Sequence, residues 1–97
     1  TGAKPVLCDV QESSLNIDVQ KMVSLITPRT KAVMPVHFAG YPCDMDDIIE
    51  VAKKQNLIII EDAAHAIGTK YKGKKIGNFG DVSVFSFYLL VLSNMSK

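Results

Sequence analysis

The fold class is indicated by one short stretch of the chain, Leu57-Ile58-Ile59-Ile60-Glu61-Asp62. Four aliphatic residues stand together here, without the alternation of polar and apolar residues that marks a strand with one face in water. A continuous apolar run of this length is typical of a strand that is buried on both faces in a parallel sheet. We therefore expect a strand covered on both faces at residues 57–60, with two carboxylates at its carboxyl end.

Two amphipathic helices are predicted upstream of this strand. Apolar residues recur at i, i+3, i+4 and i+7 in residues 19–26 and again in residues 45–52, which is the spacing of one buried helix face. Asn16 or Asp18 is available to cap the first helix, and Asp44 is expected to cap the second.

Further strands are expected at residues 6–10, 32–34 and 82–87 because these runs are short and rich in β-branched or aromatic residues. Residues 69–76 are expected to form a hairpin that turns at Lys72-Gly73. Strands and helices thus alternate over the first 60 residues, which gives two successive βαβ units. The sequence predicts the α/β class.

Composition excludes several kinds of protein. The 97 residues include eleven basic and ten acidic side chains, whereas nucleic-acid and membrane-surface proteins normally show a basic excess. No apolar run approaches the roughly 20 residues that span a bilayer. Two cysteines, Cys8 and Cys43, are too few for a disulfide framework and are expected to be reduced thiols. The start without Met or an apolar leader predicts that the chain begins inside a longer protein.

Candidate chemical groups follow the predicted strands. Asp9, His37 and the pair Glu61 and Asp62 each stand after a strand, where ligands bind in open parallel sheets. Ionisation of Asp62 at the rim of an apolar sheet is costly without a cation, so we expect a basic side chain or a cationic ligand beside it. The alternative is that Asp62 only caps the short turn at residues 63–66.

Three other readings of these residues stay open, each with less support. Asp62, His65 and His37 could hold a metal, but the usual ligand spacings are absent. The four lysines of residues 70–75 could bind an anion, although an exposed hairpin uses lysine in any case. A phospho-acceptor domain using Asp9 and Asp62 would want an acidic pair after its first strand, and only single carboxylates occur there.

Five blocks of the sequence closely resemble the DegT/DnrJ/EryC1/StrS family of pyridoxal-phosphate-dependent aminotransferases, which act on nucleotide-linked keto-sugars. The resemblance runs from residue 1 to about residue 88. The most specific block reads Glu61-Asp62-Ala63-Ala64-His65-Ala66-Ile67-Gly68, and the last ends in Phe85-Ser86-Phe87-Tyr88. The others lie at residues 26–33, 35–45 and 71–77.

This resemblance implies a fold and a set of site residues. The fold would be the large domain of a type I aminotransferase, whose mostly parallel sheet holds pyridoxal 5′-phosphate. Asp62 would pair with the protonated pyridine nitrogen, which lets the ring absorb electrons during the reaction. Ala64 would pack against the ring, His65 would lie near the ring and its phenolic oxygen, and Ser86 would bind the phosphate.

The resemblance ends where the family places its Schiff-base lysine. Two variable residues follow Tyr88, and the lysine position is then occupied by Val91, which has no side-chain nitrogen. We therefore interpret residues 1–88 as a fragment of the cofactor-binding large domain and residues 89–97 as an atypical tail. The 97-residue chain is expected to be inactive on its own, with no catalytic lysine.

The resemblance also implies the activity and setting of the complete enzyme. It would transfer an amino group from an amino acid, with glutamate favoured, to a nucleotide-linked keto-sugar for polysaccharide or antibiotic synthesis. We expect a cytoplasmic homodimer without nucleic-acid or membrane partners. The alternative is an inactive remnant that acts at most as a cofactor-binding or association module.

Overall fold

A computed structural model describes residues 1–87 of the chain. In chain order these form α1 (Val19–Leu25), β1 (Ala32–Val33), α2 (Met45–Gln55), β2 (Ile58–Asp62), β3 (Lys70–Tyr71), β4 (Lys74–Lys75) and β5 (Val82–Val84). A short 3-10 turn at Phe38–Gly40 lies between β1 and α2. Neither helix of residues 1–87 has the length and apolar composition needed to cross a membrane.

Three of the strands form a parallel sheet in the order β1, β2, β5. Ala32 pairs with Ile58, and Ile60 pairs with Val82, so β2 is the inner strand. Since α2 connects the parallel neighbours β1 and β2, the α/β class and the predicted βαβ unit between them are confirmed. The antiparallel hairpin of β3 and β4 turns at Lys72-Gly73 as predicted.

The predicted strand at residues 6–10 is wrong for the described part of the chain. Only Val10 makes a bridge there, antiparallel to Ile17, and Leu7 is 92% exposed. A strand forms when a neighbour accepts and donates its backbone hydrogen bonds. Within residues 1–87 no strand lies beside this segment.

Burial of β2 on both faces is also wrong. Ile59 packs into one core with Met22 of α1 and Ile48 of α2, whereas Ile58 on the opposite face is 51% exposed. Ile60 and Asp62 follow on the same face of β2, and the strand register places their partners Val36, Val82 and Val84 beside them. We call this surface the open sheet face, which consists of Val36, Ile58, Ile60, Val82 and Val84 with Asp62 at its carboxyl end.

Helix caps match the sequence only in part. The Asp18 carboxylate accepts hydrogen bonds from the amides of Gln20 and Lys21, so Asp18 rather than Asn16 caps α1. Asp44 occupies the cap position of α2, but its side chain makes no capping hydrogen bond. The first helical amide there, that of Met45, already donates to the carbonyl oxygen of Cys43.

Both cysteines are free thiols, as predicted. Burial raises the pKa of the Cys43 thiol to about 12. Its Sγ donates to the carbonyl oxygen of Val36, so this thiol is a structural group rather than a nucleophile.

A carboxylate and an imidazole are buried together beside the carboxyl end of β2. The side chains of Glu61 and His37 are both 0% exposed, and Oε2 of the first lies 3.3 Å from Nε2 of the second. His37 Nδ1 accepts a hydrogen bond from the Cys43 amide at 3.0 Å. The neutral ring therefore carries its proton on Nε2 and donates it to the carboxylate.

The open sheet face leads to a prediction about core packing. Ile48→Ala is expected to lower the free energy of unfolding by about 2–5 kcal/mol, because Ile48 is fully buried and its truncation leaves a cavity. The matched control Ile58→Ala removes the same atoms from a half-exposed position and should cost clearly less. Urea unfolding of the 97-residue chain measures both. Equal losses would contradict the assignment of the faces.

The buried pair leads to a prediction about pH. Burial lowers the pKa of His37 below its ordinary 6.5, although Glu61 opposes this. Burial raises the pKa of Glu61, but four hydrogen bonds bring it below its ordinary 4.5, those from Gly80, Gly77, Phe79 and His37. In both cases the unfolded state binds more protons, so stability present at neutral pH is lost below about pH 6.5 and again below about pH 4.5.

His37→Asn is expected to remove the loss that begins near pH 6.5, because asparagine does not titrate. Its Oδ1 can still accept from the Cys43 amide. The chain has one other histidine, His65, and His65→Asn serves as the control that keeps the step. Urea unfolding between about pH 5 and pH 8 tests this. A step that persists in His37→Asn would assign it to another group.

Candidate functional site

The candidate site lies at the carboxyl end of the parallel sheet. Asp62 closes β2, where it pairs with Val84 of β5 and bridges to Val36 on the other side. The Asp62 amide donates to the Pro35 carbonyl at 2.9 Å, and its carbonyl accepts from the His37 amide at 3.0 Å. The segments that follow the three strands therefore meet around Asp62.

The two oxygens of Asp62 have different environments. Oδ1 accepts a hydrogen bond from the Ala64 amide at 3.1 Å, which confirms the local turn contact that the sequence left open. Oδ2 has no hydrogen-bond partner, and no basic side chain forms an ion pair with Asp62, among residues 1–87. The half-buried carboxylate is thus fixed by one oxygen and can accept a donor at the other.

His65 lies on the turn that follows β2 and is held by the loop after β1. Its Nδ1 accepts a hydrogen bond from the Ala39 amide at 3.3 Å, and its ring meets Phe38 edge-on at 6.3 Å. With Nδ1 accepting, the neutral ring carries its proton on Nε2. His65 is exposed, so this N–H can reach a ligand.

Gly40 lets the loop after β1 lie close to this turn. Its φ is +82°, and a Cβ there would lie 3.0 Å from the carbonyl oxygen of His65. The Thr69 hydroxyl also donates to the Gly40 carbonyl at 3.1 Å. A residue other than glycine would be strained at position 40, because φ is positive there and the two backbones lie close together.

Ala64 and Ser86 complete the set of residues that the sequence singled out. Both are half-buried, and Ser86 lies two residues beyond β5. The Ala63 amide donates to the Val84 carbonyl at 2.8 Å, which ties the turn after β2 to the end of β5. The structure thus brings Asp62, Ala64, His65 and Ser86 to one edge of the sheet.

Asp9 does not join this group. It lies outside the sheet and forms a 2.7 Å ion pair with Lys21 of α1, whose hydrogen bond lowers the pKa of the Asp9 carboxyl. The phospho-acceptor reading needed Asp9 and Asp62 at one sheet edge, so this arrangement argues against it. Within residues 1–87 no three His, Cys, Asp or Glu side chains are grouped to hold a metal ion.

The lysine-rich hairpin is engaged with its neighbours. Lys72 forms an ion pair with Asp46 of α2, and Lys74 lies 4.7 Å from the centre of the Phe79 ring. Tyr71 meets the same ring edge-on at 5.7 Å. These contacts favour a polar surface hairpin over an anion site.

Sequence reasoning missed what Glu61, His37 and Asn16 do. Glu61 and His37 were candidates for the exposed edge, but both are fully buried in the pair described above. Strand alternation carried the signal, because consecutive residues of β2 must face opposite ways. Asn16 is 3% exposed and holds the loop after β1, donating to the Tyr41 carbonyl and accepting from the Phe38 amide, each at 3.0 Å.

Comparison with known proteins identifies the fold. An X-ray structure of an aminotransferase from Psychrobacter cryohalolentis superposes with a TM-score of 0.87 at 45% identity, covering 89% of this chain and 22% of that one. The Spr1654 protein of Streptococcus pneumoniae, solved in a PLP-form, superposes with a TM-score of 0.84 at 33% identity, covering 90% of this chain and 26% of that one. The predicted aminotransferase fold is confirmed.

Sequence relatives agree with this result. The chain is 56% identical over 87 residues to GDP-perosamine synthase of Caulobacter vibrioides, which covers 90% of this chain and 24% of that protein. It spans between 22% and 24% of the length of the curated relatives that it matches. The model of the DegT/DnrJ/EryC1/StrS aminotransferase family matches residues 1–90. The chain therefore belongs to the DegT/DnrJ/EryC1/StrS aminotransferase family.

Proposed function

We propose that this chain is the cofactor-binding segment of a pyridoxal-phosphate-dependent aminotransferase. The complete enzyme would move an amino group from an amino acid, with glutamate favoured, to a nucleotide-linked keto-sugar. The observation that carries the proposal is Oδ2 of Asp62, which accepts no hydrogen bond from residues 1–87 and lies at the carboxyl end of an apolar sheet face. Relatives named for GDP-perosamine synthesis and for a TDP-sugar product support the substrate class.

The residues present fit pyridoxal 5′-phosphate. Asp62 Oδ2 can accept a hydrogen bond from the protonated pyridine nitrogen, and a charge-assisted hydrogen bond of this kind is stronger than a neutral one. When bound, the cofactor supplies an electron sink for the substrate carbon that loses its proton.

Three neighbours of Asp62 would hold the remaining parts of the cofactor. The small side chain of Ala64 leaves space for a ring above the turn. His65 would donate from Nε2 to the phenolic oxygen, since its Nδ1 is occupied by the Ala39 amide. The Ser86 hydroxyl would bind the phosphate. Because Asp62 Oδ1 is held by the turn, the carboxylate keeps its orientation without the ligand.

A second candidate function, the inactive remnant, is favoured by Val91. This position and the tail at residues 89–97 lie outside the described residues, and the boundary at residue 88 stays a prediction. With valine at the lysine position, the 97-residue chain would bind cofactor without forming a covalent link to it. A cytoplasmic homodimer also stays a prediction from the family resemblance.

Residues 1–87 are expected to replace the matching segment of the Caulobacter synthase, with which they share 56% identity. The grafted enzyme keeps the host sequence beyond residue 87. We expect it to bind pyridoxal phosphate, with absorption at about 410–430 nm, and to form product within about tenfold of the host rate. A second graft of residues 1–97, which brings in Val91, should lose the absorption band of the Schiff base and product formation while still binding the cofactor without a covalent link.

The two grafts separate the two candidate functions. Circular dichroism first establishes that each is folded like the host. A folded graft of residues 1–87 that binds no cofactor and forms no product would overturn the aminotransferase assignment. An active graft of residues 1–97 would overturn the expectation that the tail removes activity.

Asp62→Asn in the graft of residues 1–87 should slow product formation by at least about 100-fold, as expected when a preorganised charge partner is removed. Asparagine keeps an oxygen for the Ala64 amide but carries no charge to hold the pyridine proton. Asp44→Asn is the control, because that side chain makes no capping bond. Steady-state kinetics of product formation compare the two, and equal rates would exclude Asp62 from this role.

A further inference from the structure

One buried carboxylate connects three segments around the candidate site. Glu61 Oε1 accepts from the amides of Phe79 at 2.9 Å and Gly80 at 2.5 Å and from the Ser83 hydroxyl at 3.2 Å. Oε2 accepts from the Gly77 amide at 2.9 Å and from His37 Nε2 at 3.3 Å. Five donors on a fully buried carboxylate satisfy it completely, so its position is fixed.

Glu61 acts next to the candidate site without occupying it. It is the neighbour of Asp62 in β2, and successive side chains of a strand point to opposite faces. The Glu61 side chain is buried on the core face, whereas Asp62 lies on the open sheet face. Whatever fixes Glu61 therefore fixes the backbone of Asp62 and leaves its carboxylate free for a ligand.

The same carboxylate determines where β5 lies against β2. The segment at residues 77–80 leads into β5, and three of its amides end on Glu61. Ser83 in β5 divides its hydroxyl between Glu61 and the Gly77 carbonyl, which it reaches at 3.0 Å. Ser86 follows three residues later on the same chain segment.

Gly80 shows how closely this segment approaches β2. A Cβ there would lie 2.9 Å from the Ile59 carbonyl oxygen and 3.1 Å from Glu61 Cγ. A side chain at this position would therefore force residue 80 and the backbone of Ile59 apart. Glycine at residue 80 thus permits the close approach in which its amide donates to Glu61.

His37 holds the other side of Asp62. Its ring donates to Glu61 while its backbone amide donates to the Asp62 carbonyl at 3.0 Å. The Cys43 amide fixes the ring through Nδ1. The loop after β1 is therefore attached to both of the last two residues of β2.

We infer that Glu61 and His37 are a positioning pair that sets Asp62 against Ser86, and thereby the two ends of the cofactor site. The inference rests on the proposed function, in which Asp62 takes the pyridine nitrogen and Ser86 takes the phosphate. Neither member of the pair touches the cofactor. Their role is to hold two backbone segments at the separation that one ligand requires.

Glu61→Gln tests the pair in the 97-residue chain. Glutamine replaces one carboxylate oxygen with an NH₂ group, which cannot accept the hydrogen bonds that the oxygen accepted. Glu50→Gln is the matched control, since Glu50 is exposed and, among residues 1–87, pairs with Lys54 alone. Ile48→Val is a second control that destabilises the core without touching the pair. Chemical denaturation first measures the loss of stability in each variant.

Amide hydrogen exchange gives a readout without ligand. We expect Glu61→Gln to accelerate exchange at Asp62 and Ala63, whose amides donate to Pro35 and Val84, at least tenfold more than at Leu57. Ile48→Val should accelerate these three amides together, and Glu50→Gln none of them. Equal acceleration at all three amides in Glu61→Gln would overturn the inference.

Pyridoxamine 5′-phosphate gives the second readout, because it cannot form Schiff bases with the surface lysines. In the wild-type chain we expect it to shift the amide resonances of Asp62 and Ser86 together. Glu61→Gln should raise its Kd at least tenfold, and Glu50→Gln should not change it. Equal binding in all three proteins would overturn the positioning role and leave the proposed function standing. Absence of binding to the wild-type chain would instead count against the proposed function, and amide exchange would then decide the positioning role alone.

Discussion

The described structure depends on the hydrogen bonds that the buried carboxylate of Glu61 accepts. An ionised carboxylate without water is tolerated only when its lone pairs are filled by donors. Here the donors come from the segment at residues 77–80, from β5 and from the loop after β1. Removing the side chain would leave the amides of Gly77, Phe79 and Gly80 without this acceptor, so the segments around the site depend on one side chain.

The second constraint is that the sheet is covered on one face only. The core face is closed by α2 and α1 through residues such as Ile48 and Met22, whereas Ile58, Val82 and Val84 are each about half exposed. Asp62 lies at the carboxyl end of this open face, with Oδ1 held by the Ala64 amide and Oδ2 without a hydrogen-bond partner in the described part of the chain. The curated relatives of this chain are about four times longer than the chain itself.

Much of the fold could be predicted from the sequence, because it follows from local periodicity. The apolar run of β2 and the helical spacing of α1 and α2 both predicted the elements that the structure contains. The strand predicted at residues 6–10 does not form in the described structure. Strand formation depends on a neighbouring strand, which periodicity does not reveal. The exposure of one face of β2 was missed for the same reason. An apolar run shows that the side chains are hydrophobic, but it does not show whether another element packs against them.

The sequence proposed residues for the candidate site but not the contacts that hold them in place. Family resemblance pointed to Asp62, Ala64, His65 and Ser86, and the structure gathers all four at one sheet edge. The support given by Asn16 and Glu61 comes from contacts between residues 16 to 25 positions apart, which no local pattern encodes. Strand alternation alone indicated that Glu61 and Asp62 must act on different faces.

The protonation state of the bound cofactor tests the central claim most directly. Nitrogen NMR of ring-labelled pyridoxamine 5′-phosphate, bound to the graft of residues 1–87, reports whether its pyridine nitrogen carries a proton. Protonation in this protein and in Asp44→Asn, together with its loss in Asp62→Asn, is the result predicted here. A bound cofactor whose nitrogen is unprotonated, or whose protonation is unchanged in Asp62→Asn, would contradict the assignment of Asp62.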